Sequence, residues 1–308
     1  MKTSAEDGLF SQALSVAMLE SSIVITISGV EPFFSPPLQS DRERDTISAR
    51  RQSGDSKAGI APGRQIGRPA RRKRSIVRMR INGLQKLTLL DFPGKTACTV
   101  FTAGCNLRCP FCHNAALVTH VDPDAYMEED EFFAFLKKRK GLLDGVAITG
   151  GEPTLEPDLL DFMRRVRDQG FGVKLDTNGT RPDVLRRVLD EGLADLVAMD
   201  IKNSPQKYAL TTGVGNFPME RVNESISLLM SGSTPFEFRT TVVDGLHDPE
   251  DLAAIGRWIA GEEPYFLQNF KDSGDLIDPS MRGKTPEQMA ECLAAVLPYL
   301  PKAEIRGL

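Results

Sequence analysis

The sequence lacks an apolar run long enough to cross a membrane. A transmembrane helix needs about 20 consecutive apolar residues, and the best candidate, residues 22–30, is far shorter. The first residues also make a poor secretory signal, because Glu6 and Asp7 follow a single basic residue, Lys2. We therefore expect a cytoplasmic protein without a membrane partner.

Cysteine is scarce and unevenly placed. The chain of 308 residues has five cysteines, and three of them fall within eight positions. An odd and clustered set argues against the disulfide framework of a small secreted protein and favours a metal site in a reducing cytosol. The five are Cys98, Cys105, Cys109, Cys112 and Cys292.

Neither sign of charge dominates the chain as a whole. There are 38 Lys and Arg against 42 Asp and Glu, a formal net charge of −4, so composition gives no reason to expect a nucleic-acid partner. The distribution is uneven, however. Residues 1–78 carry 13 basic and 8 acidic residues, whereas residues 79–308 carry 25 and 34. The net negative charge of residues 79–308 predicts no strong affinity for nucleotides.

Residues 1–78 show little of the pattern of a folded domain. From residue 35 onward they are rich in Ser, Gly, Pro and Arg, and such a segment cannot bury enough surface to offset its ordering entropy. The basic run at residues 71–74 fits a targeting or nucleic-acid patch, but we favour a solvated tail. We expect a disordered or non-native extension at 1–78, a native start at Met79, and one domain over 79–308.

From Met79 onward, short apolar strands alternate with amphipathic helices. This alternation implies right-handed βαβ units and a parallel sheet, and its regular spacing predicts an α/β fold, a partial (β/α)6 TIM-like barrel. The predicted strands cover residues 96–102, 145–149, 172–176, 196–201, 236–243 and 265–270. The predicted helices cover residues 124–140, 157–169, 182–191, 219–230, 249–260 and 286–300.

Polar motifs follow four of these strands at their carboxyl ends. Active sites of α/β barrels lie at this end of the strands, so one rim should collect all four motifs. The cysteine cluster follows the first predicted strand, a GGEP motif (150–153) the second, a DTNG motif (176–179) the third, and Asp200 and Lys202 the fourth.

The three clustered cysteines are separated by three and two residues, which suits a loop wrapped around one metal centre. A structural zinc site needs four ligands, and an electron-transfer 4Fe–4S centre normally has four thiolates. We expect Cys98 in the core and Cys292 in the core or at the surface. His113 is an alternative fourth zinc ligand, although it directly follows Cys112. Three thiolates alone would leave one iron open to a small molecule.

The cysteine spacing CxxxCxφC, with Phe111 before the last cysteine, resembles the radical S-adenosylmethionine (SAM) superfamily over nearly all of residues 79–308. The Cys-His-Asn run at 112–114, the GGEP and DTNG motifs and the DIK…TTG pattern (200–202, 211–213) are similar to activating enzymes for glycyl-radical proteins. Residues 83–95 and 267–270 are most similar to the anaerobic ribonucleoside-triphosphate reductase activating proteins.

The resemblance implies a 4Fe–4S cluster on the three cysteines, and SAM chelated to the open iron through its amino and carboxylate groups. An electron from the reduced cluster would then cleave the sulfonium to methionine and a 5′-deoxyadenosyl radical. Gly150 and Gly151 would allow close backbone approach, and Glu152 would receive the ammonium group. Lys202 would pair with the carboxylate.

Other residues of the rim complete the predicted site. Asp176 or Asp200 would meet ribose hydroxyls or a cation, and His113 and Asn114 would border the cofactor or a substrate peptide. Arg239 would face the barrel interior or form a buried ion pair. The predicted catalytic and metal-binding residues are Cys105, Cys109 and Cys112, and the predicted cofactor-binding residues are Phe111, His113, Gly150, Gly151, Glu152, Asp176, Thr177, Asn178, Asp200 and Lys202.

The leading functional hypothesis is an activase that removes a hydrogen atom from a glycine of a partner enzyme. The expected partner is an anaerobic ribonucleotide reductase, with a pyruvate formate-lyase-like enzyme as the alternative and a flavodoxin- or ferredoxin-type reductant. Two other hypotheses remain: a radical SAM enzyme acting on a small molecule, and a non-catalytic iron–sulfur or zinc protein such as a redox sensor. We expect no nucleic-acid partner.

Overall fold

The computed structural model describes residues 78–121 and 126–307. The predicted extension at 1–78 lies outside these ranges except for Arg78. None of the helices within them has the length and apolar character that a bilayer-crossing segment requires.

Eight strands form one sheet whose order follows the chain. The first pair is antiparallel, and every later pair of neighbours is parallel. In the described part of the chain the first and last strands do not pair with each other, so the barrel is open. The strands are β1 (Ile81–Thr88), β2 (Ala97–Thr102), β3 (Gly145–Gly150), β4 (Gly172–Thr177), β5 (Leu196–Asp200), β6 (Phe236–Val242), β7 (Tyr265–Asn269) and β8 (Ala303–Arg306).

Helices connect the parallel strands. The starts of the last two helices are determined by neighbouring residues. Asp248 and Thr285 each form a capping box, and a proline follows at the first helical position. The helices in these ranges are α1 (Ala115–Thr119), α2 (Glu129–Lys138), α3 (Leu159–Asp168), α4 (Pro182–Asp190), α5 (Tyr208–Thr212), α6 (Met219–Ser231), α7 (Pro249–Trp258) and α8 (Pro286–Val296), with a 3-10 turn at Pro153–Leu155.

The expected partial barrel is confirmed, and its six predicted strands are β2 to β7. Two strands were missed, because β1 and β8 form the edges of the sheet and lack a continuous apolar run. Helices α1 and α5 were also missed, since five residues are too few to show helical periodicity. The helix predicted at 124–140 is shorter, at Glu129–Lys138, and the start of the predicted range falls outside the described residues.

Alternate residues of each strand face opposite sides of the sheet. In β4, Val173 and Leu175 belong to the apolar core, whereas Lys174 and Asp176 line a cavity on the opposite side. Cys98 is fully buried in the core, as predicted. Cys292 could not be assigned from the sequence, and it lies in the same core. The fold therefore separates these two cysteines from the clustered three.

Candidate active site

A cavity of about 680 Å³ opens at the carboxyl ends of the strands. The predicted site residues are far apart in the chain, yet all of them line it. They are Cys105, Cys109, Phe111, Cys112, His113, Gly150, Gly151, Glu152, Asp176, Thr177, Asn178, Asp200 and Lys202.

The loop that carries the three cysteines is held by backbone hydrogen bonds. The Cys112 amide donates to the Cys109 carbonyl at 3.0 Å, and the Arg108 amide donates to the Thr212 carbonyl at 2.8 Å. The three thiols are free. Burial raises the pKa of Cys105 to about 12 and that of Cys109 to about 11. Iron binding would therefore have to displace thiol protons, as thiolate ligation generally does.

The three thiols share the cavity without converging on one ion. Within residues 78–121 and 126–307, no three His, Cys, Asp or Glu side chains are arranged to bind a single metal. In an iron–sulfur cluster each thiolate binds its own iron, and three cysteines of one loop that line one cavity suit such a cluster. The His113 ring stacks on Phe270 at 5.1 Å, and its buried Nε2 has no hydrogen-bond partner among the described residues. Its role as a fourth zinc ligand stays an untested alternative.

The cavity that the cysteines line also holds a network of alternating positive and negative side chains. Arg239 lies between two carboxylates, with Nε 2.9 Å from Asp200 and a terminal guanidinium nitrogen 3.2 Å from Asp176. Lys202 Nζ lies 3.0 Å from Asp200, and Lys174 Nζ lies 2.5 Å from Asp176. The sequence left two possibilities for Arg239, a position facing the barrel interior and a buried ion pair. The structure shows both, because Arg239 lines the cavity and pairs with Asp176 and Asp200. Three cations and two anions make up this network, and the cavity is also lined by Arg306 and by the carboxylates of Asp91, Glu152 and Glu237.

Electrostatics keep Asp200 and Lys202 charged. Burial alone would raise the pKa of Asp200, but Arg239 and Lys202 outweigh it and lower that pKa to about 2. Burial alone would lower the pKa of Lys202, but Asp200 outweighs it and raises that pKa. A ligand that reaches these two residues therefore meets a carboxylate and an ammonium group that are both ionised.

Glu152 is only 1% exposed, and its carboxylate is already engaged. It accepts hydrogen bonds from the Thr154 amide at 3.1 Å, the Thr177 hydroxyl at 2.8 Å and the Asn178 amide at 2.7 Å, and also from the Thr154 hydroxyl. Burial raises its pKa, and these donors oppose that rise. Glu152 thus ties the end of β3 to the end of β4, and its role toward an ammonium group stays a prediction.

The glycines of the GGEP motif permit close contact between backbone segments. A Cβ on Gly151 would lie 1.9 Å from the Gly104 carbonyl oxygen. A Cβ on Gly150, whose φ is +114°, would lie 2.4 Å from the Thr102 amide nitrogen. The two glycines therefore hold β3 against the start of the cysteine loop, and close approach to a cofactor stays a prediction.

Several residues that line the cavity were missed in the sequence. Lys174 could have been found, because strand alternation places it on the same face as Asp176. Arg306 could not have been found, since its strand, β8, was not predicted. In the structure Arg306 lines the cavity and pairs with Glu237 at 3.2 Å. The other missed lining residues include Leu89, Leu90, Asp91, Thr99, Phe101, Thr149, Thr241, Gln268 and Ile305.

An open, largely parallel barrel with three cysteines at its carboxyl rim defines an iron–sulfur enzyme class. Residues 99–259, about half of the chain, match the family model described as "Radical SAM superfamily". The chain belongs to the radical SAM superfamily, whose members use a 4Fe–4S cluster and SAM. The expected fold and cofactors are therefore confirmed, and the protein is a radical SAM enzyme.

Three curated relatives give the context within this superfamily. The chain is 32% identical over 204 residues to a Methanocaldococcus jannaschii protein named as a glycyl-radical enzyme activating enzyme, covering 63% of this chain and 82% of the relative. It is 29% identical over 191 residues to a Listeria monocytogenes pyruvate formate-lyase-activating enzyme, covering 58% of this chain and 75% of that relative. It is 31% identical over 150 residues to a Thermococcus kodakarensis protein named as a GTP 3′,8-cyclase, covering 48% of each.

Proposed function

We propose that this protein is an activating enzyme that generates a glycyl radical on a partner enzyme. One observation carries the proposal: the Cys-His-Asn run, the DTNG motif and Lys202 surround one cavity, in a chain that covers 82% of the Methanocaldococcus jannaschii relative. The similarity to the Listeria monocytogenes activating enzyme supports the same assignment.

In this proposal Cys105, Cys109 and Cys112 hold the cluster, and the charged network below them orients SAM. The bound cluster and SAM supply a one-electron cleavage of the sulfonium, which yields methionine and a 5′-deoxyadenosyl radical. In this proposal Lys202, which lies 3.0 Å from Asp200, pairs with the methionine carboxylate, and Phe111 borders the adenine.

A flexible glycine loop of a partner suits the open rim of the barrel. With cluster and SAM bound, the site would supply removal of the glycine α-hydrogen, giving 5′-deoxyadenosine and a glycyl radical, and it would have to exclude water meanwhile. At the rim, Leu89 is 68% exposed and Leu90 is 47% exposed, and both line the cavity. These apolar side chains would pack against an inserted peptide.

For the partner we propose an anaerobic ribonucleotide reductase, with a pyruvate formate-lyase-like enzyme as the alternative. A flavodoxin- or ferredoxin-type protein would supply the electron, and the cytoplasm is the compartment that suits reduced cysteines. The small-molecule alternative is favoured by one observation, the similarity to the protein named as a GTP 3′,8-cyclase.

The test is to mix anaerobically reconstituted and reduced protein with SAM and each candidate partner. We expect 5′-deoxyadenosine by chromatography and a glycyl doublet in the electron paramagnetic resonance spectrum of the reductase, absent when its glycine becomes alanine. A doublet only on the lyase-like enzyme would select the alternative. Cluster-replete protein that binds SAM but never cleaves it would contradict the proposal, as would cleavage without a doublet on any partner.

A further inference from the structure

Asn178, in the DTNG motif after β4, contacts the first of the three clustered cysteines. Its side-chain nitrogen Nδ2 lies 3.8 Å from Cys105 Sγ and 3.0 Å from Asn106 Oδ1. The residue is 5% exposed, so water has little access to these contacts. The two hydrogens of one amide group thus have two acceptors, and one of these acceptors is a proposed cluster ligand.

The orientation of this amide group is determined by its neighbours. Asn178 Oδ1 accepts from the Thr180 backbone amide at 3.0 Å and from the Thr180 hydroxyl at 2.6 Å. That hydroxyl accepts in turn from Asn106 Nδ2 at 2.8 Å. A backbone amide can only donate, so the oxygen must face Thr180 and the NH₂ group must face Cys105. The ring of hydrogen bonds therefore fixes the donor toward the sulfur.

Cys105 Sγ also accepts from the Leu107 backbone amide at 3.4 Å. Among the side chains that the structure describes, Asn178 alone donates a hydrogen bond to one of the three clustered thiols. Hydrogen bonds to ligand sulfurs are among the factors that set the potential of an iron–sulfur cluster. A donor withdraws charge from the sulfur and stabilises the reduced, more negative state.

We propose that Asn178 is a positioning residue that holds the Cys105 ligand through an N–H···S hydrogen bond and raises the reduction potential of the cluster. This inference rests on the cluster ligation proposed above. The Asn178 backbone amide donates to Glu152 at 2.7 Å, and substitution by Ala or Asp retains that bond. A purely structural role of the side chain, through its bonds to Asn106 and Thr180, would leave the potential of an assembled cluster unchanged. The potential of the cluster therefore separates the two roles.

The test compares wild-type holoprotein with Asn178→Ala and Asn178→Asp at equal iron content. The midpoint potential is measured without SAM by a redox titration followed by electron paramagnetic resonance. Asn178→Ala should lower the ratio of reduced to oxidised cluster at a given applied potential about tenfold. This corresponds to a midpoint potential lower by about 59 mV for a one-electron couple. Asn178→Asp keeps the acceptor for Thr180 but loses the donor and adds negative charge, so its potential should fall further.

Asn269→Ala is the matched control. This asparagine also lies at the carboxyl end of a parallel strand, β7, but its Nδ2 donates to the Lys284 carbonyl at 2.9 Å rather than to a thiol. The potential of the cluster in this variant should stay at the wild-type value. An unchanged potential in Asn178→Ala, or an equal fall in Asn269→Ala, would overturn the inference.

Cluster loading distinguishes the remaining outcomes. If Asn178→Ala does not assemble a cluster, the nearly isosteric Asn178→Asp decides the question by the same titration. Absence of the cluster from both variants, with the fold intact by circular dichroism, would overturn the inference in favour of a role in assembly. A wild-type protein that binds no cluster would instead refute the proposed ligation itself.

Discussion

The five cysteines differ in what surrounds each thiol. Cys98, in β2, faces the apolar core, and burial raises its pKa to about 12. Cys292, in α8, packs into the same core. Cys105, Cys109 and Cys112 line the cavity beside Lys202, whose positive charge lowers the pKa values of the three thiols against the larger effect of burial. Only these three have both access to a ligand and a nearby cation to favour a thiolate.

Substitution of single cysteines tests this division. Cys105→Ala, Cys109→Ala and Cys112→Ala should each lower iron from about four atoms per chain to near zero after anaerobic reconstitution, because each removes one of only three ligands. Iron content is measured by a colorimetric assay and the cluster by its absorption spectrum. Cys98→Ala is the matched control and should keep its iron. Loss of the cluster from folded Cys98→Ala would show that the ligand assignment is wrong.

At the scale of elements, α5 connects the charged network to the cysteine loop. The Lys202 amide donates to the Tyr208 hydroxyl at 3.3 Å, and Tyr208 is fully buried at the start of α5. The helix ends at Gly213, whose φ is +67°. A Cβ there would lie 2.6 Å from the Arg108 carbonyl oxygen, next to the hydrogen bond from Arg108 to Thr212. The end of α5 thus packs directly against the loop between the first two cysteines.

We expect Gly213→Ala to weaken cluster binding severalfold, because the new methyl group must displace the Arg108 backbone. The left-handed backbone adds about 1–2 kcal/mol of destabilisation. Gly192→Ala controls for that strain, since its φ is +60° and nothing lies within 4 Å of its Cβ position. Iron retained during challenge with a chelator measures the difference. Equal retention in the two variants would contradict the role assigned to α5.

At the scale of the whole molecule, Met79 is the first buried residue of the described ranges. Met79 is 2% exposed, and its amide donates to Glu129 at 2.6 Å. Two residues later Ile81, fully buried, opens β1. Arg78 instead makes exposed ion pairs with Glu128 at 3.8 Å and Asp130 at 3.0 Å, and solvent screens such pairs.

A chain that starts at Met79 should therefore fold and cleave SAM like the full chain, with little change in its free energy of unfolding, because it loses only the solvent-screened pairs of Arg78 among the described contacts. Urea unfolding and 5′-deoxyadenosine formation measure this. A chain that starts at Gly83 is the comparison, because it loses the buried side chains of Met79 and Ile81, worth about 1.5–3 kcal/mol each. A large loss in the chain starting at Met79 would mean that residues 1–78 contribute to the fold or to catalysis.

The sequence by itself determined the features that depend on neighbouring residues. Strands β2 to β7 could be predicted because each is a short apolar segment followed by a helix, and α7 and α8 because their caps are local. The three-cysteine spacing is also local, and it led to the cluster and the superfamily. Since the carboxyl ends of parallel strands share one rim, the convergence of the four motifs followed as well.

Tertiary structure alone decided the contacts between residues that are distant in the chain. Asn178 reaches Cys105 across 73 positions, and Arg239 reaches Asp176 across 63. Neither pair has a local signature, because its geometry is set only when the strands pair in register. The sequence indicated Gly151 and Glu152 as cofactor contacts, which stay predictions, and it gave no sign that Gly151 packs against Gly104 or that Glu152 bonds the end of β4. Periodicity identifies the face of a strand, but only the assembled sheet determines what that face meets.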